Sequence, residues 1–211
     1  MESQRVPGTS RATTVHPSNL AARAHTAAEV AKSHAAMVDA EARFPSEAFA
    51  QIRHQQLLGI QVPVALGGEG ASIAQIADIC YTLGQACSST ALIYAMHQIK
   101  MGCLVRHYKN SPAIERVLRR IATDQLLMAS STTEGQAGGN VRSSEAPVER
   151  DGDTITLERK ATVISYAAEA DGIVTTARRA PDAPGNDQVL VVLLKSDYTL
   201  ERLQMWDTLA F

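Results

Sequence analysis

The run Thr133-Glu134-Gly135-Gln136-Ala137-Gly138-Gly139-Asn140 packs a hydroxyl, a carboxylate, two carboxamides and three glycines into eight residues. Such a turn frees backbone N–H groups that can hydrogen-bond an anionic or carbonyl-rich ligand, and the missing side chains let that ligand approach closely. Alone the signal is weak, because a Gly-Gly loop between strands is mostly just a turn. Neither phosphate fingerprint fits: no Lys-Ser or Lys-Thr stands at P-loop spacing, and no helix continues the loop as in a dinucleotide-binding fold. Glu134 is the tempting carboxylate for proton transfer. Cys103 and His107 lie four apart on a predicted helix and can face one metal. Two ligands do not make a site, and Cys80 and Cys87 do not converge on them, so core packing is the favoured reading. His97 follows Met96 on a mostly apolar helix and reads as a satisfied buried or interface histidine rather than a base. Glu69 reads as a solvated turn residue, and Arg119-Arg120 and Arg178-Arg179 as solvated faces.

The elements that must position these groups come in two blocks. Residues 1–17 hold Ser, Thr, Arg, Pro and Gly without a period and read as a disordered arm. Its arginines with few acids are reminiscent of an organellar transit peptide, but the prolines and the lack of an amphipathic stripe argue against one. Residues 18–124 read as helical. Ser18 or Asn19 caps an Ala-rich helix to about Glu41, and Pro45-Ser46 opens a second with Gly59 at its C-terminal cap. Ser72 starts a third, Ser88 or Ser89 caps a fourth from Thr90 to about Tyr108, and Ser111-Pro112 begins a fifth. Five helices on short loops make a bundle.

After Asp124 the period changes. Gln125–Ser131, Val148–Arg150, Thr154–Leu157, Ile173–Ala177, Val189–Lys195 and Thr199–Met205 read as strands, and Asp151-Gly152 is a hairpin signal. The fold class is therefore α+β: an N-terminal all-α helical bundle followed by an antiparallel β-barrel domain over residues 125–211. A net charge of -2 supplies no field to recruit nucleic acid or anionic lipid. The longest clean apolar stretch, Val189–Leu194, is far short of the ~20 residues that cross a bilayer, and nothing near the start reads as a secretory signal. Three cysteines, an odd number, point to reduced thiols. The expectation is a soluble cytoplasmic protein.

The order of landmarks is more specific than any one of them. Phe44-Pro45-Ser46-Glu47 precedes Leu57-Leu58-Gly59-Ile60, then Val62-Pro63 and Gly67-Gly68-Glu69-Gly70. Thr133-Glu134 with Gly138-Gly139-Asn140 follows, then Lys160, Ser165 six residues before Asp171, and Trp206-Asp207-Thr208-Leu209. From about residue 20 to the end, this series resembles the acyl-CoA dehydrogenase family.

The resemblance implies a helical domain, a middle β-barrel domain and a C-terminal four-helix domain. The third has no counterpart in these residues, so a partial chain lacking the catalytic base is expected. The implied chemistry is α,β-dehydrogenation of an acyl-CoA thioester: a carboxylate takes the α-proton while hydride leaves to FAD. Carried over residue by residue, Ser130, Thr132 and Thr133 lie beside the flavin, with the Thr133 hydroxyl facing its polar edge. Gly138 matches a family glycine, while Gly139 and Asn140 stand where serine and aspartate are common. Ser165 takes the place of a hydroxyl donor near the flavin, and Val163 and Ile164 cover the ring where relatives have a tryptophan. By the same resemblance Glu134 belongs to the flavin loop. The partners implied are an acyl-CoA, an electron acceptor such as an electron-transfer flavoprotein, and further copies in a homo-oligomer. Two alternatives stand beside this reading: a flavin-dependent monooxygenase of the same fold, or a non-catalytic homologue acting as a binding or partner subunit.

Overall fold

Helix-start chemistry accounts for much of the bundle in the computed structural model, which describes residues 19–134 and 140–201. Its helices are α1 (Leu20–Ala40), α2 (Ser46–His54), α3 (Ile73–Gly84), α4 (Ser88–His107) and α5 (Pro112–Asp124). At α3, Ser72 Oγ accepts from the Gln75 N–H while Gln75 Oε1 accepts from the Ser72 N–H at 2.9 Å. This reciprocal box satisfies two donors that the first turn would leave orphaned. Ser72→Ala should therefore cost about 1 kcal/mol, read as a lower urea midpoint at unchanged slope; an unchanged midpoint would show that the box contributes nothing. At α5, Ser111 Oγ accepts from the Ile114 N–H and Pro112 occupies the first turn, as its sequence implies.

Other starts and stops differ from expectation. Asn19 makes no side-chain cap, and Cys87 rather than a serine precedes α4. Gly59 does not cap α2, which ends at His54. Its role is close approach instead: a Cβ there would lie 2.7 Å from Ala122 Cα, so α5 packs directly on the backbone of residue 59.

Two apolar clusters join the helices. Phe49, Ile52, Leu57, Ile79, Leu83 and Tyr94 fill the one between α1 and α4. Met101, Leu104, Leu118 and Ile121 fill the other, together with Met128 and Val174 from the sheet. Each such side chain contributes roughly 1.5–3 kcal/mol on burial. On α4, Leu104 is core, whereas Ile99 is 63% exposed. Glu69 also departs from its expected place in solvent. It pairs at 2.8 Å with Arg23, which donates as well to the carbonyls of Gln55 and Gln56. That contact ties α1 to the end of α2 and to the glycine-rich loop.

The strands are β1 (Met128–Ser131), β2 (Glu149–Asp151), β3 (Thr154–Thr156), β4 (Gly172–Arg178) and β5 (Gln188–Leu194). β2 and β3 form the expected hairpin, with Gly152 at φ +57°. Asp151 faces Thr154, so the tip is Gly152-Asp153, one residue later than the sequence suggested. β5 runs antiparallel to β4, but β1 runs parallel to it. The expected all-antiparallel arrangement is thus corrected to a mixed sheet, since alternation of side chains along a strand is the same in either orientation. Among the described residues the sheets are an open three-stranded one, ordered β1-β4-β5, and the two-stranded hairpin. Thr199–Glu201 are not strand, and residues 202–205 of that expected strand lie outside the described residues.

Asp171, just before β4, joins bundle to sheet. Its carboxylate accepts from the Leu127 N–H at 2.8 Å and from Arg53 on α2 at 2.9 Å. No helix among the described residues is long and apolar enough to cross a membrane.

Candidate functional site

The pairing of β1 with β4 decides where its hydroxyls go. Met128 lies opposite Gly172 and Ser130 opposite Val174, so Ser130 shares a face with Met128 and Val174, which pack on α4 and α5. Ala129 and Ser131 take the other face with Ile173 and Thr175. Thr132 continues the Ser130 side by alternation and is half-buried like it. Ser131 is 1% exposed; its carbonyl accepts from the Thr175 hydroxyl, while its own Oγ has no partner. Ser130 and Thr132 therefore share one side of the strand, and the neighbouring Ser131 takes the other.

Thr133 points toward a different segment. Its hydroxyl donates to the Val163 carbonyl at 3.0 Å, closing a gap of 30 residues. A hydroxyl has one proton, and here it is committed; the lone pairs remain free to accept. This contact puts the end of β1 beside Val163, Ile164 and Ser165. Val163 is exposed and Ser165 half-buried at the start of a turn. Ile164 departs from the expected cover: its side chain packs on Ala129, Ala167, Ala170 and Ile173, the small residues of β1, β4 and that turn. Tyr166, at φ +46°, donates to the Met128 carbonyl at 3.1 Å. Gly138 and Gly139 lie outside the described residues.

Glu134 takes a place that the sequence did not specify. Its carboxylate turns inward, 3.0 Å from Arg159 Nη1, with both side chains 7% exposed. Ser144 Oγ and the Glu145 N–H donate to it at 2.8 and 2.9 Å. Burial alone would raise its pKa, but these donors and the guanidinium outweigh burial and hold it below the usual carboxylate range. An ionised carboxylate with both oxygens engaged is a structural anchor and not a proton acceptor. Arg159 also donates to the Thr176 carbonyl on β4. Sequence reasoning passed over Arg159 for its neighbour Lys160, which is 92% exposed at its side chain. The signal available was Glu134 itself, since a carboxylate in a β-rich core requires a cation nearby.

His97 behaves as read. It is fully buried on α4, with Nε2 2.9 Å from the Leu58 carbonyl and Nδ1 accepting from the Met128 N–H at 3.0 Å. A carbonyl on one nitrogen and an N–H on the other fix the neutral tautomer protonated at Nε2. Burial depresses its pKa to about 4, so it stays neutral at pH 7. The ring pins β1 to α4. Lys100, one turn further on, is also buried, and nothing in the sequence marked it. Among the described residues no three His, Cys, Asp or Glu side chains gather as a metal site.

Comparison with known proteins follows this geometry. The family model for the acyl-CoA dehydrogenase N-terminal domain matches residues 19–125. A probable acyl-CoA dehydrogenase of Bacillus subtilis is 25% identical over 165 residues, covering 78% of this chain and 43% of that protein. The chain thus spans less than half the length of that relative. Among solved structures, the complex of TdsC from Paenibacillus with FMN and indole matches 84% of this chain and 44% of its own, with a TM-score of 0.72 and 16% identity. The glutaryl-coenzyme A dehydrogenase complex with glutaryl-CoA matches 87% of this chain and 48% of its own, at TM-score 0.70 and 20% identity. At these identities the two structures establish the fold.

Proposed function

We propose, from the premise that this chain belongs to the acyl-CoA dehydrogenase family, that it forms the helical and sheet portions of an FAD-dependent oxidoreductase acting on the α,β-carbons of an acyl-CoA. The observation that supports this most is the Thr133–Val163 hydrogen bond, which joins the two segments that the cofactor reading needs at one place. Ser130, Thr132, Thr133 and Ser165, with Gly138 and Gly139, are the residues that would hold the flavin, and the open sheet would belong to a β-barrel. FAD, when bound, supplies the hydride acceptor. The donor chemistry fits: Thr133, its proton spent on Val163, can only accept, which suits a ring N–H, while a serine at 165 has a proton to give to a ring carbonyl or nitrogen. Val163 is the exposed apolar side chain next to them.

These residues bind and orient; none of them moves the α-proton, and Glu134 is committed to Arg159. An electron-transfer flavoprotein as acceptor and assembly with further copies belong to the same proposal. Thr133→Val combined with Ser165→Val should weaken flavin retention about 10-fold or more, since two hydrogen bonds are lost, and should shift the flavin spectrum. Unchanged flavin content and spectrum would sink the assignment.

One observation favours a second reading. Gly139 and Asn140 lack the hydroxyl and the charge common at these places, and the fold is shared with TdsC bound to FMN and indole. A flavin-dependent monooxygenase acting on a substrate without CoA would fit those departures. Binding of FMN in preference to FAD, with no affinity for any acyl-CoA, would select it.

A further inference from the structure

Tyr166 stands at φ +46°, in the left-handed region that glycine and asparagine enter easily and a bulky side chain rarely does. Such a backbone persists only where its surroundings hold it. Three sets of contacts hold this one. The phenol donates to the carbonyl of Met128, the first residue of β1, at 3.1 Å. Met128 is also gripped from the bundle, since its N–H donates to His97. The ring packs on the apolar cluster between α1 and α4 and on the sheet cluster of Ala129, Ala170 and Ile173; among the described residues no other residue is shared by the two. The Tyr166 carbonyl accepts from the Glu169 and Ala170 N–H groups at 3.1 and 3.0 Å, which closes the turn behind it.

The segment that ends in Tyr166 is thereby fastened twice to β1 and its continuation: Val163 by its carbonyl to Thr133, Tyr166 by its hydroxyl to Met128. Ser165 lies between the two fastenings. Among the described residues its hydroxyl has no hydrogen-bond partner, yet it is not sealed from solvent, so its proton is available to a ligand. A serine on a free loop would sample several directions. Here the residue that follows it is fixed by ring, hydroxyl and carbonyl at once.

We infer that Tyr166 is the positioning residue that aims the Ser165 hydroxyl at the ring of a bound flavin. This rests on the flavin reading above and deepens it: the ring contact depends on a side chain committed to Met128, and it is common to FAD and FMN. A direction set in advance spares the cost of ordering Ser165 on binding.

The full chain, Tyr166→Phe, Ser165→Ala and the double variant are titrated with FAD and with FMN. Tyr166→Phe keeps the ring and loses only the bond to Met128, so flavin affinity should fall about 5-fold, the contribution of one neutral hydrogen bond, and the flavin absorption band should shift. In the Ser165→Ala background the same change should have no effect, because the hydroxyl it aims is gone. An equal effect in both backgrounds, or none in either, makes Tyr166 a structural residue and overturns the inference while the flavin reading stands. Tyr166→Asn separates backbone from side chain, because asparagine accepts the left-handed conformation; full parental affinity in this variant would show that ring and hydroxyl are not needed and would overturn the inference as well. Binding of neither flavin to the parent chain overturns the flavin reading and the inference together. Hydrogen exchange without flavin reads the hold directly. The amides of Val163, Ile164 and Ser165 should exchange about 5-fold faster in Tyr166→Phe than in the parent, and unchanged exchange there would overturn the inference.

Discussion

Glu134→Gln is expected to lower stability by about 3–5 kcal/mol, enough to bring Tm down by about 10 °C in a chain of this length. The reason is asymmetry. With the carboxylate gone, the Arg159 guanidinium stays behind at 7% exposure with its charge unanswered, and that penalty exceeds whatever the intact pair contributed. Ser144 Oγ and the Glu145 N–H lose an ionised acceptor as well. Adding Arg159→Met should restore much of the loss, because an apolar side chain carries no charge to desolvate. Thermal and urea unfolding of the two variants decide the matter. If Glu134→Gln melts with the parent chain and its only defect is in acyl-CoA turnover, then Glu134 is a base after all, and its position in the fold has been misread.

Acid should weaken the protein through His97 in a definite window. The folded-state pKa is about 4, against about 6.5 when unfolded. Between these values the unfolded chain takes up a proton that the folded chain refuses. Stability is therefore complete above pH 6.5, declines as pH falls, and has lost about 3 kcal/mol by pH 4. The carboxylates do not interfere at the upper end: Glu47, held down to about 2 by Arg43, and Glu134 are both depressed in the folded state, so their contributions start to be lost only as pH falls into the ordinary carboxylate range and continue to be lost below it. Urea unfolding at pH 7, 5.5 and 4.5 should show the decline in the parent and a flattened profile in His97→Gln, which will also be weaker at pH 7 because the Met128 N–H loses its acceptor. An equal slope in both proteins would assign the titration elsewhere.

What the sequence made legible was local chemistry. Ser72 with Gln75, Ser111 with Pro112, and Gly152 between two β-branched runs each declare their element within a few residues, because capping and turn geometry depend on neighbours in the chain. Strand pairing does not. Nothing in Met128–Ser131 states that it lies parallel to β4. The site divided along the same line. The hydroxyl run 130–133 was visible, but that Thr133 meets Val163 and that Glu134 turns inward to Arg159 depend on tertiary partners 30 and 25 residues away. Lys100 was invisible for the opposite reason: on a helix, a lysine among apolar residues reads as a solvated interruption, and only burial reveals it.

The Asp171 contact has a bearing on the order in which the molecule is built. Arg53 and Asp171 are 118 residues apart, and the same carboxylate receives the Leu127 N–H that leads into β1. As the chain emerges from the ribosome, α1 to α5 can gather from contacts among themselves. The Leu127 amide just before β1 has no acceptor, and the strand, though held to α4 by His97, has no sheet to join until β4 has been made. The bundle therefore waits with an open seam along α2 and β1, and a single late residue closes it. Loop closure over such a span is slow compared with helix formation, which makes the joining of bundle and sheet the late step of folding and the interval before it the time when the chain is most exposed to misassociation.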